Sequence, residues 1–168
     1  MVDQAPVLQG PHTLVQFASI GFDMSFTDIF LTFSGGGRLV LIDSDTRGDV
    51  AAFVMQVQQQ GVSALNLPYT MLQMMSEYCM EFGITMPTLR GLISTAEQLK
   101  ITSAIRDFFN RHPDCQLINH YGPSETHVVT ALTLTGETSL CPEFPGIGRP
   151  IRNVSCYVLD SQMQPVPA

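Results

Sequence analysis

Asn119, Tyr121, Ser124 and Glu125 lie within one short stretch, Cys115 to Val129, which reads CQLINHYGPSETHVV. An amide, a flat ring, a hydroxyl and a carboxylate so close together suit a nucleotide. The ring can stack on a base and the amide can read its edge. The hydroxyl can reach a phosphate oxygen, and the carboxylate can hold Mg²⁺, a hard cation that prefers oxygen ligands. The same residue types also make an ordinary polar surface turn, and both readings stand at this level.

The flanking residues place this turn. Leu117 and Ile118 are strand formers, and Gly122-Pro123 is strong turn punctuation, so the chain leaves its sheet at about Tyr121. The polar set therefore sits at a strand's carboxyl end, where open α/β sheets bind ligands. One rival is a hydrolase nucleophile, because Gly122-Pro123-Ser124-Glu125-Thr126 differs from G-x-S-x-G only at its last residue. That fold needs an acid and then a histidine well after the serine. Here the last histidine is His127, and Pro123 occupies the sharpest point of the turn, so the rival is disfavoured. His12, His112, His120 and His127 show no metal-ligand spacing, which leaves surface or pocket-wall roles, with His120 placed to face a ligand.

The elements that must hold this turn alternate along the chain. Residues 1–11 carry two prolines and no period. His12 to Ser19 reads as a strand. Ser25 is a candidate N-cap for a helix from Phe26 to Phe33, which leaves Asp23 just past a strand end. Gly35-Gly36-Gly37 follows a helix and has no lysine, so it reads as a helix stop and not as a phosphate loop. Arg38 to Asp43 is a strand, Asp49 to Gln60 a helix, and Val62 to Leu67 a strand. Pro68 opens a helix whose stripe is Met71, Leu72, Met75 and Cys79, methionines spaced for packing. Leu89 to Ser94 is a strand, followed by Thr95-Ala96-Glu97 and a helix to Arg111 with the stripe Ile101, Ile105, Phe108 and Phe109. His127 to Thr133 and Val154 to Asp160 read as later strands without a partner after them, and the Gly- and Pro-rich 136–150 as a loop.

This order favours an α/β fold, a mostly parallel doubly wound sheet with helices on both faces and a C-terminal β segment. In such a sheet Asp23, Thr95-Ala96-Glu97 and Asn119 to Glu125 meet at one edge.

Composition narrows the function. The chain has 168 residues, 45% hydrophobic and 14% charged, enough for one real core. A net charge of −7 with one lysine, Lys100, excludes a nucleic-acid backbone binder. No stretch approaches a membrane span and no signal peptide opens the chain, so a cytoplasmic protein is expected. Cys79, Cys115, Cys141 and Cys156 form no C-x-x-C pair and read as reduced, core-filling thiols.

At this point the residues resemble a family: the amino-acid-activating adenylation domains of nonribosomal peptide synthetases, within the acyl-adenylate-forming enzymes. NHYGPSET is similar to the nucleotide motif N-x-Y-G-P-T-E, and LRGLISTAEQL to L-x-x-L-x-x-G-G-E-x-L. FASIGFDMS resembles the F-D-x-S region, and GIGRPIRNVSCYVLD the segment before the family's next subdomain. These segments occur in the same order and cover nearly the whole chain from His12 onward.

The resemblance implies activation of an amino acid with ATP and Mg²⁺, pyrophosphate release, and transfer to a phosphopantetheine thiol on a carrier domain, with carrier and condensation domains as partners. It places Asp23 on the substrate's α-ammonium. Tyr121 would stack on adenine against Thr95, Ala96 and Glu97, with Asn119 reading the adenine edge beside His120 and Gly122. Ser124, where the family more often has threonine, would contact the α-phosphate, and Glu125 would hold Mg²⁺. Positions similar to the family's side-chain pocket are Met24, Thr27, Asn66, Ile93, Thr95, His120, Val128 and Val129. Two departures follow. Thr95-Ala96 replaces Gly-Gly, which narrows the adenine slot. The family's lysine-bearing phosphate loop belongs before His12, and its ribose-binding aspartate and C-terminal lysine after Ala168. The chain is therefore expected to be part of an adenylation core, inactive alone because no preorganised cations face the pyrophosphate. A nucleotide- or amino-acid-binding module without chemistry, or a scaffold piece of a megasynthase, are the alternatives.

Overall fold

A computed structural model describes residues 8–134 and 141–167 of the chain. Alternating strands and helices build β1 (Thr13–Gln16), α1 (Met24–Ser34), β2 (Arg38–Leu41), α2 (Ser44–Gly48), α3 (Val50–Gln59) and β3 (Ala64–Pro68). They continue as α4 (Tyr69–Phe82), β4 (Gly91–Thr95), α5 (Ser103–Arg111), β5 (Gln116–Tyr121) and β6 (Thr130–Leu134). Short strands β7 (Arg149–Pro150), β8 (Val158–Leu159) and β9 (Pro165–Val166) follow.

Seven strands form one sheet in the order β2-β1-β3-β4-β5-β6-β7. β1 to β5 are parallel, while β6 and β7 join antiparallel. The chain steps from β1 outward to β2 and then crosses back to β3, so the winding reverses beside β1. A crevice opens at such a reversal, outside the carboxyl ends of the strands.

Strand alternation sorts the core onto two faces. Leu65, Leu67, Leu92 and Leu117 point one way and pack with Phe53, Val54 and Val57 of α3, Met71, Leu72 and Met75 of α4, and Ile105 and Phe108 of α5. Leu14, Ala64, Ile93 and Ile118 point the other way, against Leu31 of α1 and Leu8. Each fully buried side chain of the size of Phe53 contributes about 1.5–3 kcal/mol, so the α3–α5 face carries most of the apolar stabilisation. The α1 face is thinner, and its upper half is polar.

Several boundaries differ from the sequence reading for physical reasons. α1 starts two residues earlier, with Asp23 at the N-cap, so Ser25 lies inside the helix and its Oγ donates to the Ile20 carbonyl at 3.3 Å. Asp43 and Asp49 cap α2 and α3 through their side chains, and α2 itself was not anticipated because its five residues carry no apolar stripe. Pro68 ends β3 and is the N-cap of α4, which begins at Tyr69. α5 starts only at Ser103, where Thr102 caps it, because Ile101 donates its N–H to the Glu143 carbonyl at 2.8 Å. The strand expected over 127–133 begins at Thr130, since residues 122–129 fold as the turn. The strand expected over 154–160 is only Val158–Leu159 and does have a partner, pairing antiparallel with β9. Of the expected loop 136–150, residues 136–140 lie outside the described residues, and Arg149–Pro150 extends the sheet. Residues 1–7 of the irregular start also lie outside them.

Of the histidines read as surface or pocket-wall groups, His12 and His112 are buried away from the three strand ends. His112 accepts from the Met86 N–H at 2.7 Å and its Nδ1 lies 2.6 Å from the Phe108 carbonyl, pinning the β4 approach to α5. His12 is buried near Gly10. Cys79 and Cys115 fill the core as free thiols and burial pushes them up to about 11 and 12, whereas Cys156 is exposed.

Candidate adenylate site at the carboxyl edge of the sheet

Three cavities open along this edge. One of about 320 Å³ is lined by Ala96, Glu97, Gln98, Leu99, Asn119, His120, Tyr121, Gly122, Pro145 and Ile147. A second, of about 250 Å³, is lined by Phe22, Asp23, Met24, Thr95, Ala96, Gly122, Pro123 and Ser124. The third, of about 330 Å³, lies over the reversal between β1 and β3, where Phe17, Phe22, Met24, Asn66, Pro68 and Thr95 line it with Arg47 at the wall. Ala96 lines all three. The residues after β1, β4 and β5 therefore do meet.

The turn after β5 is held by backbone. Tyr121 O accepts from the Val129 N–H at 2.8 Å and Pro123 O from the Thr126 N–H at 3.1 Å. A Cβ on Gly122 would sit 1.7 Å from the His127 carbonyl oxygen, so this position admits only glycine. Tyr121 is 48% exposed, leaving its ring face reachable.

Asn119 is buried and its Nδ2 donates to the Gly146 carbonyl at 3.0 Å. That bond holds the 145–147 wall and leaves the amide oxygen as an acceptor, the partner an exocyclic amino group of a purine requires. Glu97 has a role the sequence reading missed: its Oε2 accepts from the Thr70 N–H at 2.7 Å and the Thr70 hydroxyl at 2.8 Å. The Pro68 ring has no acceptor to cap α4, so Glu97, two residues past the end of β4, supplies the cap. The signal was the uncapped Pro-Tyr-Thr start, but only the β3–β4 pairing brings Glu97 to it.

Asp23 meets a residue outside the expected set. His127 Nδ1 lies 3.3 Å from Asp23 Oδ2, and His127 Nε2 lies 2.7 Å from Thr27 Oγ1. His127 adopts a left-handed φ of 58°, which directs its ring back across the turn to α1. The connectivity hydroxyl–imidazole–carboxylate matches a hydrolase triad, but Thr27 is 1% exposed and no carbonyl could reach it. The chain of contacts acts as a clamp on Asp23.

On the α1 face the upper layers are polar. Asn66 Nδ2 donates to Asp28 Oδ1 at 2.8 Å. Burial pushes the Asp28 carboxyl up to about 7, against the hydrogen bonds from Asn66 and the Ala18 backbone. Burial, and then His127, pulls the His120 imidazole down to about 4, so it is neutral at physiological pH. Thr95 Oγ1 lies 3.6 Å from Met24 Sδ. Ile93 is fully buried in the α1-side core, and Val128 is also buried. Thr27, Ile93, Val128 and Val129 line none of the three cavities. Glu125 is exposed on the turn next to Ser124, and no cluster of metal-binding side chains exists among the described residues. A lone carboxylate fits Mg²⁺, which takes most of its remaining ligands from water and substrate phosphates.

Residues 2–168 match the family of AMP-binding enzymes. The chain is 36% identical over 152 residues to gramicidin S synthase 2 of Brevibacillus brevis, covering 90% of this chain and 3% of that protein. It is 34% identical over 154 residues to tyrocidine synthase 2 of Brevibacillus parabrevis, covering 90% of this chain and 4% of that protein. The chain thus spans a few hundredths of the length of these relatives. The crystal structure of IdnL1 superposes with a TM-score of 0.80 at 16% identity, covering 97% of this chain and 33% of that one, which shows a shared fold. On these matches the chain belongs to the AMP-binding enzyme family, in the region it shares with nonribosomal peptide synthetases.

Proposed function

We propose that the chain is the substrate- and adenine-binding part of an amino-acid-activating adenylation domain. The observation that carries this is the convergence at Ala96, which walls both the cavity of Asp23 and Ser124 and the cavity of Asn119 and Tyr121. An ammonium on Asp23 and a base at Tyr121 would then flank one carboxylate–phosphate junction. Asp23 holds the ammonium by a charge-assisted hydrogen bond, Tyr121 stacks on adenine, and the Asn119 amide oxygen accepts from its amino group. Ser124 donates to the α-phosphate, and Glu125 holds Mg²⁺, which neutralises charge on the phosphates. The parent reaction joins the amino-acid carboxylate to AMP, releases pyrophosphate, and passes the acyl group to a phosphopantetheine thiol of a carrier domain. The parent's other partner is a condensation domain.

The chain itself is expected to bind and not to catalyse. Its one lysine, Lys100, is ion-paired with Glu143 at 3.2 Å and offers no cation to a leaving pyrophosphate. Calorimetry with AMP and with aminoacyl sulfamoyl-adenosines tests the reading, with heat expected for both and loss of the aminoacyl increment in Asp23→Ala. No heat with either compound would leave only a scaffold role. Pyrophosphate exchange by this polypeptide alone would overturn the division of labour.

A further inference from the structure

Sheet register places the polar residues of the α1 face in rows. Asn66, Ile93 and Ile118 share one row, and Thr95 and His120 occupy the next row toward the carboxyl edge. Thr27 and Asp28 of α1 lie across the gap, joined to His127 and Asn66. Asn66 is 3% exposed and His120 is 5% exposed. Asn66 commits its N–H₂ to Asp28, and its Oδ1 has no hydrogen-bond partner among the described residues. Both ring nitrogens of His120 are likewise without one.

We propose that this gap selects an amino acid whose side chain carries a neutral hydrogen-bonding group, an amide or a hydroxyl, bound by Asn66 and His120. The inference rests on the reading of Asp23 as the ammonium site. Asp23 occupies the N-cap position of α1 and Thr27 and Asp28 lie about one turn further on, about 6 Å along the axis. Met24 and Thr95 wall both the Asp23 cavity and the cavity of Asn66, so a side chain entering from Asp23 passes between them to Asn66, with His120 in the row of Thr95.

The unpaired atoms set the chemistry. Asn66 Oδ1 accepts only, so it asks for an N–H or O–H. A neutral imidazole offers one donor and one acceptor, which an amide or hydroxyl can match. A hydrocarbon side chain would bury these atoms against carbon, and each unmade bond is worth about 10- to 100-fold in affinity. A cationic side chain finds one carboxyl here, Asp28, whose Oδ1 accepts from Asn66 and whose Oδ2 has no hydrogen-bond partner among the described residues. Burial holds that carboxyl near half-protonated at pH 7. An anionic side chain would find the Arg47 Nε, a buried donor without a hydrogen-bond partner among the described residues, but would share the space with the Asp28 carboxyl, so the aspartyl compound is the direct competitor in the test.

The test is calorimetric titration of the chain with asparaginyl, threonyl, leucyl, lysyl and aspartyl sulfamoyl-adenosines, and with AMP. The asparaginyl or threonyl compound is expected to bind at least about tenfold tighter than the leucyl one. In Asn66→Leu that preference should fall at least about tenfold while AMP binds as before, and in His120→Phe, which also borders the adenine cavity, the ratio of polar to leucyl affinity should fall by a similar factor. Leucyl binding as tight as the polar compounds overturns the inference, as does tightest binding of the lysyl or aspartyl compound. Variants that lose stability but keep the preference reduce Asn66 and His120 to packing, and the inference fails. Absence of heat with AMP and with every aminoacyl compound is a different failure, that of the underlying adenylate reading. Should either variant not fold, the wild-type panel still decides.

Discussion

The imidazole Nδ1 of His127 stands 3.3 Å from the Asp23 carboxylate, with its other nitrogen held 2.7 Å from the Thr27 hydroxyl. If the hydroxyl donates to Nε2, the ring must carry its proton on Nδ1 and donate it to Oδ2, leaving Oδ1 for an incoming ammonium. A residue on the nucleotide turn thereby positions a residue on the amino-acid side.

His127→Ala should therefore weaken aminoacyl sulfamoyl-adenosine by about tenfold while leaving AMP affinity unchanged, because one hydrogen bond orienting Asp23 is lost. Asp23→Ala should cost more than His127→Ala. Calorimetry on both variants checks this, and equal loss of AMP and aminoacyl binding in His127→Ala would show that the turn itself had collapsed.

Ala96 carries a left-handed φ of 67° at the point where all three cavities meet. A side chain in this region costs about 1–2 kcal/mol relative to glycine, offset in part by the freer unfolded chain that glycine creates. Ala96→Gly is expected to raise stability by up to about 1 kcal/mol in urea denaturation. A drop in stability would mean that the Ala96 methyl contributes packing that outweighs the strain.

Glu97 caps α4 through Thr70. Glu97→Ala should cost about 1–2 kcal/mol, the range of a lost helix cap, and Glu97→Gln should recover part of it by keeping an acceptor. Thermal unfolding of the two variants measures the difference. Identical stability of all three proteins would remove the cap from the account.

Two buried titratable groups act in opposite directions with pH. Asp28, raised to about 7, holds a proton in the folded chain that the unfolded chain loses above its ordinary value of 3.8, so its contribution falls as pH rises between them. His120, lowered to about 4, refuses a proton that the unfolded chain takes up below 6.5, so its contribution falls as pH drops through that window. Each has a limiting slope of about 1.4 kcal/mol per pH unit, and the two slopes offset over most of the range. His112, also lowered by burial, adds to the His120 direction. Asp28→Asn should unmask a stability that rises from pH 4 to 6.5, read as a Tm that climbs with pH more steeply than in the parent chain. A parallel Tm profile would show that Asp28 keeps its charge when buried.

The sequence by itself determined the alternation of elements, the parallel sheet and the identity of the turn at Tyr121, because apolar periodicity and Gly-Pro punctuation are local signals. It also brought Asp23, Thr95 to Glu97 and Asn119 to Glu125 to one edge, since strand ends in a parallel sheet can lie nowhere else. Tertiary structure alone decided what those residues touch. His127 reaches Asp23 across 104 positions, Glu97 caps a helix 27 positions earlier, and Asn66 spends its donor on Asp28, 38 positions away. Such pairings depend on strand order and register, and on which face each side chain takes, and none of these leaves a mark in the local sequence.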